Sequence, residues 1–244
     1  MRFGALTGER CGLPNERVWR VTSTIRQRAV AELTGTALLV SAVVGSGIMG
    51  TRVFPDSDGL ALLANTIATG AALAALIMTF GPISGAHFNP VVSIADASHG
   101  GLAWAAVPAY VGAQILGGLL GTLIAHGMFA APMWLEASTR VRSGGPQLFS
   151  EFVASFGLMS VIWGCARSRS ENVPFAVAAY ITSAYWFTAS TSFANPAVTI
   201  ARAFTNTFSG IQPADVPGFV AAQCLGGAAA TKLFAWLVVP KERS

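Results

Sequence analysis

Residues 83–97 read ISGAHFNPVVSIADA, and residues 192–208 read SFANPAVTIARAFTNTF. Each stretch is apolar and each holds one Asn-Pro pair. Each is also too short to cross a bilayer, which takes about 20 mostly apolar residues in a helix. A short, proline-interrupted hydrophobic segment predicts a re-entrant element at membrane depth.

Around these two stretches lie six longer apolar runs, at 29–50, 60–80, 102–130, 148–166, 173–189 and 216–239. Each half of the chain reads span, span, short segment, span. The halves also resemble each other in sequence. Residues 107–118 (VPAYVGAQILGG) and 216–227 (VPGFVAAQCLGG) are identical at eight of twelve positions. Glu32 and Glu151 each stand near the start of the first span of their half. Three spans is an odd number, so the second copy enters the membrane from the opposite side. The expected fold is all-α: six transmembrane helices plus two re-entrant half-helices in an inverted repeat, with function at the midplane. The expected organisation is a tail at 1–28, a channel domain at 29–239 with repeats 29–131 and 147–239, and a tail at 240–244.

Composition agrees. The chain of 244 residues is 53% hydrophobic and 11% charged, against about 25% charged in a typical soluble domain. Too few charges remain to coat a water-facing surface, so a soluble enzyme and a disordered chain are both excluded. The 26 glycines, many inside apolar runs, suit close helix packing in lipid. The formal charge of +4 is uneven: Arg2, Arg10, Arg17, Arg20, Arg26 and Arg28 crowd the start. No soluble basic domain is left to bind nucleic acid, and none is expected as a partner. With the N-terminus inside, ten Lys and Arg fall on the inner side and three on the outer, Arg52, Arg140 and Arg142. That bias predicts both termini in the cytoplasm. The tail has no apolar core of a signal peptide. Cys11, Cys165 and Cys224 have no metal spacing and read as unpaired fillers. No metal and no cofactor is expected.

Asn89-Pro90-Val91 and Asn195-Pro196-Ala197 carry the mechanism. Asn is a favoured N-cap and Pro is favoured at the first helical position. The cap oxygen accepts from the first-turn N–H groups, and the amide NH₂ is left to donate into a cavity. Two half-helices entering from opposite faces meet N-terminus to N-terminus, each end carrying about +0.5 charge. Asn89 and Asn195 are then midplane donors that accept a neutral lone pair, repel cations and break a proton wire.

On Ser84-Gly85-Ala86-His87-Phe88-Asn89-Pro90-Val91, Asn195-Pro196-Ala197, the two glutamates and the two Gln-containing repeats, the chain resembles the aquaporin (major intrinsic protein) family over about residues 29–239. The resemblance implies one pore per subunit, usually in a homotetramer, and passive passage of water or small neutral solutes. His87 would line the inner pore. The family usually has Asn-Pro-Ala-Arg in the second copy, where this chain has Val198 after Ala197. The family's ring positions, counted by its usual spacing, fall on Thr69, Ser183, Ser192 and Val198. All four are small, which implies a wide ring without arginine. Arg202, one helical turn beyond Val198, either restores a basic ring or snorkels to the interface, and snorkelling is the simpler expectation. Glu32 and Glu151 are expected as scaffold acceptors for the non-helical backbone beside each half-helix, with Gln114 and Gln223 packed against the same loops.

The expected function is a passive channel for small uncharged polar solutes, resembling a bacterial aquaglyceroporin in the inner membrane. Glycerol, urea, arsenous acid and water are candidates. The arginine-free pattern resembles channels associated with arsenic resistance, whose cargo includes methylated arsenicals. The alternative is a secondary active transporter built on inverted repeats and broken helices. An enzyme would need a catalytic constellation that the sequence does not offer.

Overall fold

The computed structural model describes residues 23–132, 134–168 and 170–237. The arginines up to Arg20, Cys11, the side chain of Arg167, Arg169, Lys241 and Arg243 lie outside the described residues, as does the tail 240–244.

Among the described residues eight α-helices follow in order: α1 (Ile25–Val53), α2 (Asp58–Ser84), α3 (Pro90–Ser98), α4 (Val107–Met128), α5 (Gly145–Ser168), α6 (Val173–Phe187), α7 (Pro196–Arg202) and α8 (Val216–Leu237). Among the described residues there is no strand. Local signals explain the starts. Thr24 and Gln27 form a capping box on α1, satisfying orphan N–H groups reciprocally. Ser57 caps α2. Pro90 and Pro196 open α3 and α7, where the missing N–H is no loss. Among the described residues five helical segments are long and apolar enough to cross a bilayer. The sixth expected span, α6, has only 15 residues, about 22 Å at 1.5 Å per residue, and is shorter than the usual hydrocarbon core.

The halves repeat in space. α1 packs most extensively on α4, and α5 on α8. The matched Gly-Gly pairs explain why. A Cβ on Gly117 would strike the Leu33 carbonyl of α1, and one on Gly226 would strike the Phe152 carbonyl of α5. The second glycines, Gly118 and Gly227, face α7 and α3 instead, at Ala201 and Val91. Each long helix thus seats its own partner and the other repeat's half-helix. Gly226→Ala is expected to push α8 off α5 at a cost of about 1–3 kcal/mol. Gly112→Ala, where a Cβ meets nothing within 4 Å, serves as the control. Detergent melting curves that fall only for the first variant match this packing; equal curves contradict it.

The outer surface suits lipid. Trp104 and Trp236 are exposed near the end where α1 starts and α8 finishes, and Trp134 and Trp186 near the opposite end. Paired aromatic belts mark the two interfaces of a membrane protein. Lys232 is exposed on α8, a position from which it can snorkel. Cys165 and Cys224 are free thiols, and Cys224 faces outward rather than filling a core position.

Candidate functional site

The two loops before the Asn-Pro motifs share an unusual backbone. Ala86 and Phe88 in one, and Ser192 and Ala194 in the other, have φ between 48° and 51°. Left-handed backbone at a residue with a Cβ costs roughly 1–2 kcal/mol. The glutamates hold it in place. Glu32, fully buried on α1, accepts from His87 N (2.9 Å), Phe88 N (2.6 Å), Ser84 Oγ (2.6 Å) and Gln114 Nε2 (2.8 Å). Glu151, fully buried on α5, accepts from Phe193 N (2.9 Å), Ala194 N (2.9 Å) and Gln223 Nε2 (2.6 Å). Each glutamine donates again from the same nitrogen, Gln114 to Ser93 Oγ (2.9 Å) and Gln223 to Thr199 Oγ1 (2.8 Å). Ser93 and Thr199 stand four residues after Asn89 and Asn195, so the network ties each loop to the first turn of its half-helix. Sequence reasoning missed these two hydroxyls. Their equal offset from the two Asn-Pro pairs was the available signal.

The asparagines do more than cap. Asn89 Oδ1 accepts from Val91 N (3.0 Å), and Asn195 Oδ1 from Ala197 N and Val198 N (3.0 and 3.3 Å). Each amide then reaches across the repeat boundary. Asn89 Nδ2 donates to Ala194 O (2.8 Å), and Asn195 Nδ2 to Phe88 O (2.7 Å). The sequence reading left both NH₂ groups free for a solute. The structure spends one hydrogen of each on the facing loop and leaves the second. Pro90, Val91, Pro196 and Ala197 are buried in the first turns.

One cavity of about 240 Å³ passes both asparagines. Toward the end where α1 starts it reaches His87, Asp96 and Trp163, and toward the other end Thr69, Ser192, Val198 and Arg202. Between them its walls are mostly aliphatic, as at Leu73, Leu158 and Val177. His87 Nδ1 lies 3.1 Å from Ser93 Oγ, and its Nε2 3.6 Å from Asp96 Oδ2.

Of the four residues expected in the ring, Thr69, Ser192 and Val198 line the cavity and Ser183 does not. Ser183 is exposed on α6, donates to the Tyr180 carbonyl (2.7 Å) and does not line the cavity. Two residues along a helix are about 200° around it, so Tyr185 faces inward in its place. Tyr185 is buried, lines the cavity and has its hydroxyl 3.3 Å from Thr69 Oγ1. Counting by spacing passed over it. The signal was a tyrosine inside an apolar span, which needs a hydroxyl partner. An aromatic wall therefore stands where a small hydroxymethyl was expected. Ser192 Oγ is buried there with no hydrogen-bond partner among the described residues.

Arg202 does not snorkel. Its side chain is only 2% exposed, with Nε donating to Ser209 O and Cζ 3.3 Å from the Phe193 ring centroid. It lines the channel cavity and a second cavity beyond it. Residues 203–212 turn back after α7 and bond to the segment after α4, through Ser138 N to Ala203 O and Gln212 N to Arg140 O. This brings Arg140 and Arg142 to the same mouth. Burial lowers the Arg142 guanidinium to about 10, and the nearby Arg140 charge adds to the lowering; it stays cationic at neutral pH. His126 is engaged by Thr205 Oγ1 (2.7 Å) and Trp134 O (3.0 Å).

The chain is similar to known proteins. The family model described as Major intrinsic protein matches residues 19–185, stopping short of the second Asn-Pro motif that the structure places against the first. Aquaglyceroporin AqpS of Rhizobium meliloti is 56% identical over 216 residues, 88% of this chain and 92% of its own. Aquaporin NIP6-1 of Arabidopsis thaliana is 32% identical over 183 residues, 73% of this chain and 57% of its own. The solved aquaglyceroporin of Plasmodium falciparum superposes with a TM-score of 0.71 at 20% identity, covering 89% of this chain and 98% of that one. With inverted repeats, crossed Asn-Pro caps and this likeness in hand, the chain is an integral membrane protein that belongs to the major intrinsic protein family.

Proposed function

We propose that the chain is a passive channel for small uncharged polar solutes of glycerol size. The observation that carries this reading is the crossed asparagine pair on one continuous cavity. Each amide keeps one N–H for a solute lone pair, between two helix N-termini whose positive ends disfavour cations. The mostly aliphatic walls suit carbon-bearing solutes, and hydroxyls at Thr69, Tyr185 and Ser192 supply exchangeable contacts. The relatives named as aquaglyceroporins support glycerol. Arsenous acid, a neutral trihydroxide, presents the same hydroxyl chemistry, as do urea and water in smaller form, and methylated arsenicals extend the series. Family membership implies a homotetramer with a pore in each subunit and no catalytic step. The charge bias supports an orientation with the termini inside and the arginine-lined mouth outside, and the rhizobial relative supports a bacterial inner membrane.

Stopped-flow shrinkage of proteoliposomes under water, glycerol, urea and arsenite gradients tests the reading. Glycerol flux well above that of empty liposomes is expected. Rates equal to empty liposomes for every solute would overturn it. Val198→Arg is expected to set a second guanidinium one turn inside Arg202, to suppress glycerol and arsenite flux about tenfold or more, and to spare water. Unchanged glycerol flux would remove Val198 from the ring.

A further inference from the structure

Beyond the channel cavity lies a second one of about 320 Å³, at the mouth formed by 139–142 and 203–212. Arg140, Arg142 and Arg202 all line it, with a single carboxylate, Asp58, at the exposed start of α2. Among the described residues none of the three guanidinium groups lies within 4.0 Å of a carboxylate oxygen, and Asp215 Oδ2 accepts only from the Arg142 backbone N–H (2.6 Å). The guanidiniums are held by neutral groups. Arg142 Nε and Nη1 donate to Gly210 O (2.8 Å) and Ser190 O (3.2 Å), and Arg140 Nη1 to Phe208 O (3.0 Å). Arg142 and Arg202 share the Phe193 ring, at 4.9 and 3.3 Å. Among the described residues, both terminal nitrogens of Arg202 and two donors of Arg140 have no protein acceptor.

Charges removed from water are ordinarily paired, because an unpaired one costs several kcal/mol in lost solvation. Three guanidiniums converging with no carboxylate in contact with any of them leave that place to an exchangeable anion. Their planar forks match the oxygens of a tetrahedral oxyanion or a carboxylate. Arg202 also forms the wall between the two cavities, so an anion on it stands across the neutral-solute path. We propose that this mouth binds a small oxyanion of the phosphate class, which obstructs the pore while bound. The obstruction rests on the channel reading; the binding does not.

Inorganic phosphate is the probe, with chloride at equal ionic strength as the control. For the purified full chain in neutral detergent, phosphate is expected to raise the melting temperature above that in chloride, as a ligand of the folded state does. Arg140→Gln is expected to raise the half-effect concentration about tenfold, as loss of one charge-assisted contact does. Arg140→Lys keeps the charge and is expected to retain most of the effect, and Asp58→Asn to lower the half-effect concentration. In proteoliposomes, phosphate on the arginine side is expected to slow glycerol flux, each variant being compared with its own phosphate-free rate. If glycerol does not pass at all, the channel reading fails and the melting shift still decides the anion site. Equal melting in phosphate and chloride overturns the proposal. So does a shift that Arg140→Gln leaves unchanged, or one produced by anionic phospholipid and not by inorganic phosphate.

Discussion

Glu32→Ala is expected to abolish recovery of folded protein. The substitution orphans four donors at once: His87 N, Phe88 N, Ser84 Oγ and Gln114 Nε2. Each buried unsatisfied group costs about 1–3 kcal/mol, against a whole-fold stability of about 5–15 kcal/mol. The left-handed backbone at Ala86 and Phe88 also loses the acceptor that holds it. Glu151→Ala orphans three donors and is expected to be damaging but less so. Monodisperse yield and melting temperature in detergent report both effects. If both variants melt as wild type does, the glutamates are not what holds the loops.

Asn195→Asp is expected to give a folded protein with the wrong selectivity. Aspartate caps a helix as well as asparagine does, and a negative charge beside helix N-termini is favourable, so the fold survives. The Nδ2 donation to Phe88 O becomes an oxygen facing an oxygen, and the solute loses a donor. One lost hydrogen bond of about 1.4 kcal/mol in the barrier is about tenfold in rate, so glycerol flux is expected to fall by that factor or more. The carboxylate also cancels the positive focus, so a cation leak is expected in liposomes carrying a pH- or sodium-sensitive dye. Undiminished glycerol flux without a leak would mean the asparagine pair does not control the pore.

These two positions were legible in the sequence because each has a counterpart at a matching place in the repeat. Glu32 answers Glu151, Asn89 answers Asn195, and Gln114 answers Gln223, in sequence and in the hydrogen bonds each makes. The same doubling carries the six-plus-two helical plan in the sequence itself. What the repeat does not double was read less well. The ring position on α6 does not follow from counting along a regular span, which gives the outward-facing Ser183 instead of Tyr185. Arg202 was expected at the interface because an arginine in an apolar run usually reaches for water. Its actual surroundings, Ser209 and Phe193, depend on how 203–212 folds back over the half-helix, and no periodicity announces that turn. The crossed donation between repeats was also hidden, since it joins residues about a hundred positions apart.

The rival reading, a coupled transporter, needs a midplane group that changes its charge or partner during transport. The two buried glutamates are already engaged by the loops they support. The decisive measurement is therefore the initial rate of labelled glycerol entry into proteoliposomes, taken against concentration with and without imposed proton and sodium gradients. A channel with its path between Asn89 and Asn195 predicts a rate that rises linearly with glycerol and ignores both ion gradients. A rate that saturates and follows either ion gradient would contradict it.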